Sequence, residues 1–253
     1  MSADSLSSAE NKGLRGGAAF PTTQWSLVLK AGAGAEEART ALESLFRQYW
    51  YPIYHFARRQ GRTHHEAEDV TQQFIARLLA TNGVETARPG RGRFRTFLLT
   101  ALRNYLTDEW RHAQAAKRGG GQALVSIELS RAEQRFAEEP ADQNLTPDQA
   151  FDRAWAVEML ERAVDRLREE YQSSGRGPLF AALAPRLWNS SGSNLANPPP
   201  ENIEMNAHAV SMALNRLRHR LGLRLREEVS ATVAEGADID AELRLLIAAL
   251  GTT

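Results

Sequence analysis

Apolar residues recur at spacings of three and four along almost the whole chain, and the period-two alternation that marks half-buried strands is nearly absent. This predicts an all-α fold. It also excludes Rossmann, P-loop and barrel enzymes, whose phosphate-binding turns must be presented by strands. Breaks rich in Gly, Pro and Asn divide the pattern into segments. Ala38, Leu42, Leu45 and Tyr49 predict a first helix over 36–49, and Pro52 is expected to end it before a short helix over 53–60. Thr63 and Glu66 form a capping box, opening a helix whose stripe is Ala67, Val70, Phe74 and Leu78. A long helix is expected over about 94–118, with Phe94, Leu98, Ala101 and Tyr105 on its inner side and three glycines at 119–121 ending it.

Beyond the glycines, residues 119–146 read as a flexible, increasingly acidic linker. Thr146, Pro147 and Gln149 then mark a helix start, and Leu160, Val164, Leu167 and Tyr171 carry its stripe. A short helix over 179–188 follows. Residues 189–202 contain Pro198, Pro199 and Pro200, which no helix interior tolerates. Asn206 is placed to cap a last long helix with Val210, Leu214, Leu217 and Leu221 inward, and 241–250 read as a final amphipathic turn or two. The expected organisation is an N-terminal extension over 1–34, partly disordered; a helical domain over 35–118; a linker over 119–146; a second helical domain over 147–233; and an acidic tail with a helix over 234–253.

Thirty-one basic residues balance 31 acidic ones, yet the charges are segregated. Residues 86–125 hold eight basic side chains against Asp108 and Glu109, and 127–170 hold six against twelve acids. From 203 to 226 five arginines face Glu204 alone. Two basic blocks separated by an acidic one suit two contacts with a polyanion, because local clusters set the field a nucleic acid feels. The 94–118 helix sharpens this. Arg103, Thr107, Arg111, Gln114 and Arg118 share a cationic face, flanked by Leu102, Leu106 and Trp110. Arginines neutralise phosphates and rings give unpaired bases a stacking surface.

Catalysis and metal binding find no comparable support. The chain has no cysteine, which removes thiolate chemistry and cysteine-ligated metals. His65 and Asp69 stand four apart on a helix, but no third ligand spacing completes a site, and the capping box already accounts for Glu66. No serine is placed with a base and an orienting acid. No stretch reaches the length of a membrane span, and no secretory leader is recognisable, so a cytoplasmic location is expected.

Three stretches in this order resemble a sigma factor of bacterial RNA polymerase, of the extracytoplasmic-function type that keeps domains two and four. Residues 68–79 (EDVTQQFIARLL) are similar to the polymerase-clamp-binding helix, 92–111 (GRFRTFLLTALRNYLTDEWR) to the promoter-melting helix, and 209–221 (AVSMALNRLRHRL) to the recognition helix of a helix-turn-helix. Residues 20–28 (FPTTQWSLV) and the closing 243–250 are similar to one subgroup.

The resemblance implies that the chain is not an enzyme, needs no cofactor or metal, and works with core RNA polymerase and promoter DNA, with an anti-sigma or other regulatory protein as a further partner and no membrane. It implies polymerase contacts at Asp69, Gln72, Gln73 and Arg77. For domain two it implies DNA contacts at Arg91, Arg93, Arg95, Arg103, Asn104, Thr107, Trp110, Arg111, Gln114, Lys117 and Arg118. For domain four it implies Asn206, His208, Ser211, Asn215, Arg216, Arg218 and Arg220. In two places the chain departs from the pattern. Gln73 stands where an acid is usual, and Pro198–Pro200 occupy the scaffold helix of the helix-turn-helix. The prolines open a second reading, a sigma-like interaction protein that binds polymerase or a regulator without reading promoters.

Overall fold

The computed structural model describes residues 36–80, 93–115, 127–138, 145–188, 205–234 and 238–251. Its elements are α-helices with one short 3-10 segment, and the all-α expectation holds among the described residues. None of these helices is long and apolar enough to cross a membrane.

Helix α1 spans Glu36–Arg59 without a break, Pro52 included. This corrects the expected division at Pro52. A proline inside a helix costs about 3 kcal/mol, but Ile53, Tyr54, Phe56 and Ala57, just beyond it, are all fully buried. Each large side chain among them contributes about 1.5–3 kcal/mol by burial, so keeping the helix continuous outweighs the lost hydrogen bond. Helix α2, His64–Ala80, begins at the expected capping box. The Glu66 carboxylate accepts from the Thr63 amide at 2.8 Å and from its hydroxyl at 2.9 Å. Those bonds hold the carboxyl below its usual range.

Helix α3, Phe94–Ala115, buries Phe94, Leu98, Leu102 and Leu106 at successive spacings of four. Ala101 and Tyr105, expected inward, are only half-buried, because the stripe follows the straight i, i+4 row. Helix α4, Ile127–Glu138, lies within the segment read as linker. Ala132 is buried in the first core and Phe136 packs against it. Polar contacts help to secure it. Glu133 accepts from the Tyr54 hydroxyl and, at 3.1 Å, from Arg58, and the Arg58 guanidinium lies 4.5 Å from the centre of the Phe136 ring.

Helix α5, Pro147–Ser173, opens on the reciprocal Thr146–Gln149 capping box. It enters both cores of the molecule. Phe151, Ala154, Trp155, Ala156 and Met159 pack with Tyr49, Phe56, Phe94 and Leu98 in the first core. Two turns on, Ala163, Leu167 and Tyr171 pack in the second core. Gly175, at φ 72°, turns the chain out of α5. Helix α6, Gly177–Leu183, is shorter than expected, since a 3-10 turn over Ala184–Arg186 follows it and contains Pro185. Helix α7, Ala207–Ala231, starts where expected, with the Asn206 side chain accepting from the Ala209 amide at 2.8 Å. Its Val210, Leu214, Leu217 and Leu221 close the second core over Phe180 and Leu183. The loop expected over 190–202 lies outside the described residues.

Helix α8, Ile239–Gly251, does not stand apart as a tail. Leu246 is buried in the first core and Glu242 is fully buried. The segment before α8 reaches the start of α3. Arg93 and Val233 form an isolated antiparallel bridge, and the Phe94 amide donates to the Thr232 carbonyl at 3.1 Å.

Candidate nucleic-acid and partner interface

On α2, Asp69, Gln73 and Arg77 are exposed and Gln72 is half-buried. Their spacing puts them on one side while Val70, Phe74 and Leu78 enter the core. Gln72 donates to Glu68 at 3.0 Å. Helix α3 supports this face from beside it. The Tyr105 ring lies 5.5 Å from that of Phe74, its hydroxyl donates to Gln73 at 3.3 Å, and the Arg77 guanidinium sits 5.7 Å from its centre. Burial pushes the Tyr105 hydroxyl above its ordinary pKa. The four residues assigned to a polymerase contact therefore share one surface, braced by a residue that sequence reasoning had placed in the core.

The basic helix is more divided than its sequence suggests. Arg103, Asn104 and Thr107 are exposed on one side of α3. Trp110, Arg111 and Gln114 fall on its last turns, whereas Arg91, Lys117 and Arg118 lie outside the described residues. Arg95 is 8 % exposed and turns inward. It donates to Glu242 at 2.9 Å, pairs with Asp152, and lies 4.8 Å from the centre of the Trp155 ring. Burial alone would lower its pKa, but the two carboxylates outweigh that and raise it. This corrects the expectation of an Arg95–DNA contact, because a guanidinium held by two acids inside the fold is not offered to a phosphate. Arg93 pairs with the same Glu242 at 3.1 Å and remains partly accessible.

Arg103 makes a two-pronged contact with Asp148, its Nε 3.0 Å from Oδ1. Arg93, Arg95 and Arg103 thus each meet an acid from α5 or α8. Beside Arg103 opens a cavity of about 560 Å³, lined by Phe56, Gln60, Arg62, Arg103, Leu106, Thr107, Pro147 and Asp148. Arg62 was absent from the sequence-derived set. It sits in the turn between α1 and α2, far in sequence from the basic run, and only the packing brings it to α3.

On α7, His208, Asn215 and Arg216 are exposed and Ser211 is half-buried, while Asn206 is taken up by its capping bond. Arg218 points back, donating to the carbonyls of Leu187 at 3.3 Å and Arg186 at 3.2 Å. Arg220 lies 5.7 Å from the centre of the Tyr171 ring. These two brace the helix rather than extend its outer surface. Met212 and His219 are exposed on the outer side, a pair that the i, i+4 and i, i+3 relations to His208, Asn215 and Arg216 could have supplied.

Residues 45–116, 72 of the chain's 253, match the family described as Sigma-70 region 2. The match runs from within α1 past the end of α3. It takes in the whole α2 face and every residue assigned to DNA in the first domain except Lys117 and Arg118. No curated protein and no solved structure matches the chain.

Proposed function

We propose that the chain is a sigma factor of the extracytoplasmic-function type, which binds core RNA polymerase through α2, melts promoter DNA and draws most of its promoter specificity from residues 81–118. It discriminates an upstream element only weakly with α7, because Pro198–Pro200 interrupt the scaffold helix before it. The observation that carries this reading is the Sigma-70 region 2 match over 45–116. Its residues fold into an exposed polar face on α2 and a second polar side on α3 bearing Arg103, Asn104 and Thr107. Extruding a base from a duplex costs a few kcal/mol, offset by stacking and hydrogen bonds in a pocket. The 81–93 stretch is the segment this reading assigns to that pocket, and all of it but Arg93 lies outside the described residues. For the second domain, support comes from a capped α7 whose exposed His208, Asn215 and Arg216 present donors and acceptors as a major-groove helix would.

The competing reading, a sigma-like chain that occupies polymerase without starting transcription, is favoured by Pro198–Pro200 alone. In vitro transcription with core polymerase over a library of promoter sequences separates the two. Starts that depend on promoter sequence are expected, whereas polymerase binding without starts would leave the interaction protein.

The α2 assignment has its own test. Asp69 is exposed and outside the core, so Asp69→Arg is expected to keep the wild-type helix content while weakening capture of core polymerase about tenfold or more. A reversed charge at a complementary contact costs several kcal/mol. Wild-type capture in a pull-down would move the polymerase contact to another face.

A further inference from the structure

The cavity beside α3 has two guanidiniums on its rim, delivered by different parts of the fold, and each already holds a carboxylate. Arg62 donates to Glu109 at 2.8 Å, and Arg103 grips Asp148. Both pairs are partly open to solvent, with side-chain exposures of 27 % and 29 % for the first and 51 % and 40 % for the second. An exposed pair such as Arg103–Asp148 contributes about 0–1 kcal/mol, so a phosphate can displace Asp148 at small cost. Phe56 and Leu106 are buried beneath the opening, and Gln60 and Thr107 add polar groups at its edge.

We propose that this cavity is a phosphodiester site for a nucleic-acid strand, with Arg62 and Arg103 as its cations, and that Asp148 holds the phosphate's place in the free chain. The inference rests on the reading of α3 as a DNA-facing helix and adds to it a second cation and an internal competitor. A strand fits better than a lone anion for two reasons. The space is far larger than one phosphate and apolar at its base, which suits an attached sugar or base. It also opens beside Arg103, Asn104 and Thr107, so a strand entering it continues along the exposed side of α3.

Asp148 is suited to release Arg103. It lies in the first turn of α5, where the helix's positive end favours a carboxylate whether or not an arginine holds it. The contact therefore ties the start of α5 to the middle of α3 and keeps Arg103 occupied until a polyanion competes for it.

The test uses the full chain and a fluorescently labelled 30-nucleotide single strand of mixed sequence, with binding followed by anisotropy over a salt series. Asp148→Asn is expected to tighten binding about two- to fivefold at low salt, the worth of an exposed ion pair. Arg62→Gln and Arg103→Gln are each expected to flatten the slope of log affinity against log salt by about 0.7, one phosphate's share for a single strand. Asp148→Ser, which also preserves an N-terminal helix preference, should reproduce the gain of Asp148→Asn.

If Arg103→Gln flattens the slope while the Asp148 variants and Arg62→Gln do nothing, α3 still faces DNA and the proposed site is overturned. An unchanged slope for Arg103→Gln as well would remove both the site and the reading of α3. A gain with Asp148→Asn that a few millimolar inorganic phosphate cancels at constant ionic strength would assign the cavity to a free anion instead of a strand. Absence of binding by wild type and variants alike overturns the proposal, and the transcription assay then decides the sigma-factor reading independently.

Discussion

Glu242→Ala is expected to destabilise the chain by about 3–5 kcal/mol, the range for removing one partner of a buried ion pair. Glu242 is fully buried on α8 and neutralises both Arg93 and Arg95. Without it Arg95 stays inside the fold with Asp152 as its remaining acid, and the start of α3 loses its link to the C-terminal helix. Glu242→Gln keeps the shape and an acceptor for Arg95 but removes the charge, so a smaller loss is expected. Replacing the Arg95–Glu242 pair by Met and Leu together should recover much of the loss, because it removes both buried charges and leaves only the partly accessible Arg93 and Asp152 without these partners. Urea unfolding of the four proteins measures this. A midpoint for Glu242→Ala within error of the wild type would show that the buried carboxylate contributes nothing to stability.

The second large effect concerns α5, a helix that runs through both cores. Glu161 is exposed near the middle of α5, between Met159 of the first core and Ala163 of the second. Glu161→Pro removes no apolar contact, yet it deletes a backbone donor and sets a ring against the preceding turn. The cost is about 3 kcal/mol or more. Because α5 and α7 both run through the two cores, with Leu217 of α7 in the second and Val229 in the first, a break in α5 is expected to weaken their coupling and make unfolding less cooperative. Glu161→Ala is the control. It loses the exposed contact to Arg135, which still has Glu158 at 3.2 Å, so a change within about 1 kcal/mol and a single transition are expected. A single transition for the proline variant at unchanged stability would mean that the cores do not depend on a continuous α5.

Helix starts were readable at Thr63, Thr146 and Asn206, where a side chain satisfies an otherwise bare backbone amide, but not at Asp238, which does the same for Ala241. The stripes of α2 and α7 were readable for a related reason, since each is long enough to express its period in one run of residues. The continuity of α1 through Pro52 was not. Local propensity says break, and only the burial of Ile53, Tyr54 and Phe56 reverses that balance. Helix α4 was hidden because it is short and lies in a run rich in acids, and part of its anchorage is polar, through Glu133 to Tyr54 and Arg58.

For the candidate interface the division falls between charge and orientation. Local sequence was enough to show that 86–125 is strongly basic and that Asp69, Gln73 and Arg77 lie off the apolar stripe of their helix, because composition and a 3.6-residue period are properties of neighbours along the chain. Whether a given arginine meets solvent depends on residues 45 or more positions away. Arg95 is turned inward by Asp152 and Glu242, Arg103 is met by Asp148, and Arg62 is carried to the cavity by the packing of α1 and α2 against α3. Coulombic pairing and burial act through space, so α5 and α8 had to be folded against α3 before the accessible cations could be told from the internal ones.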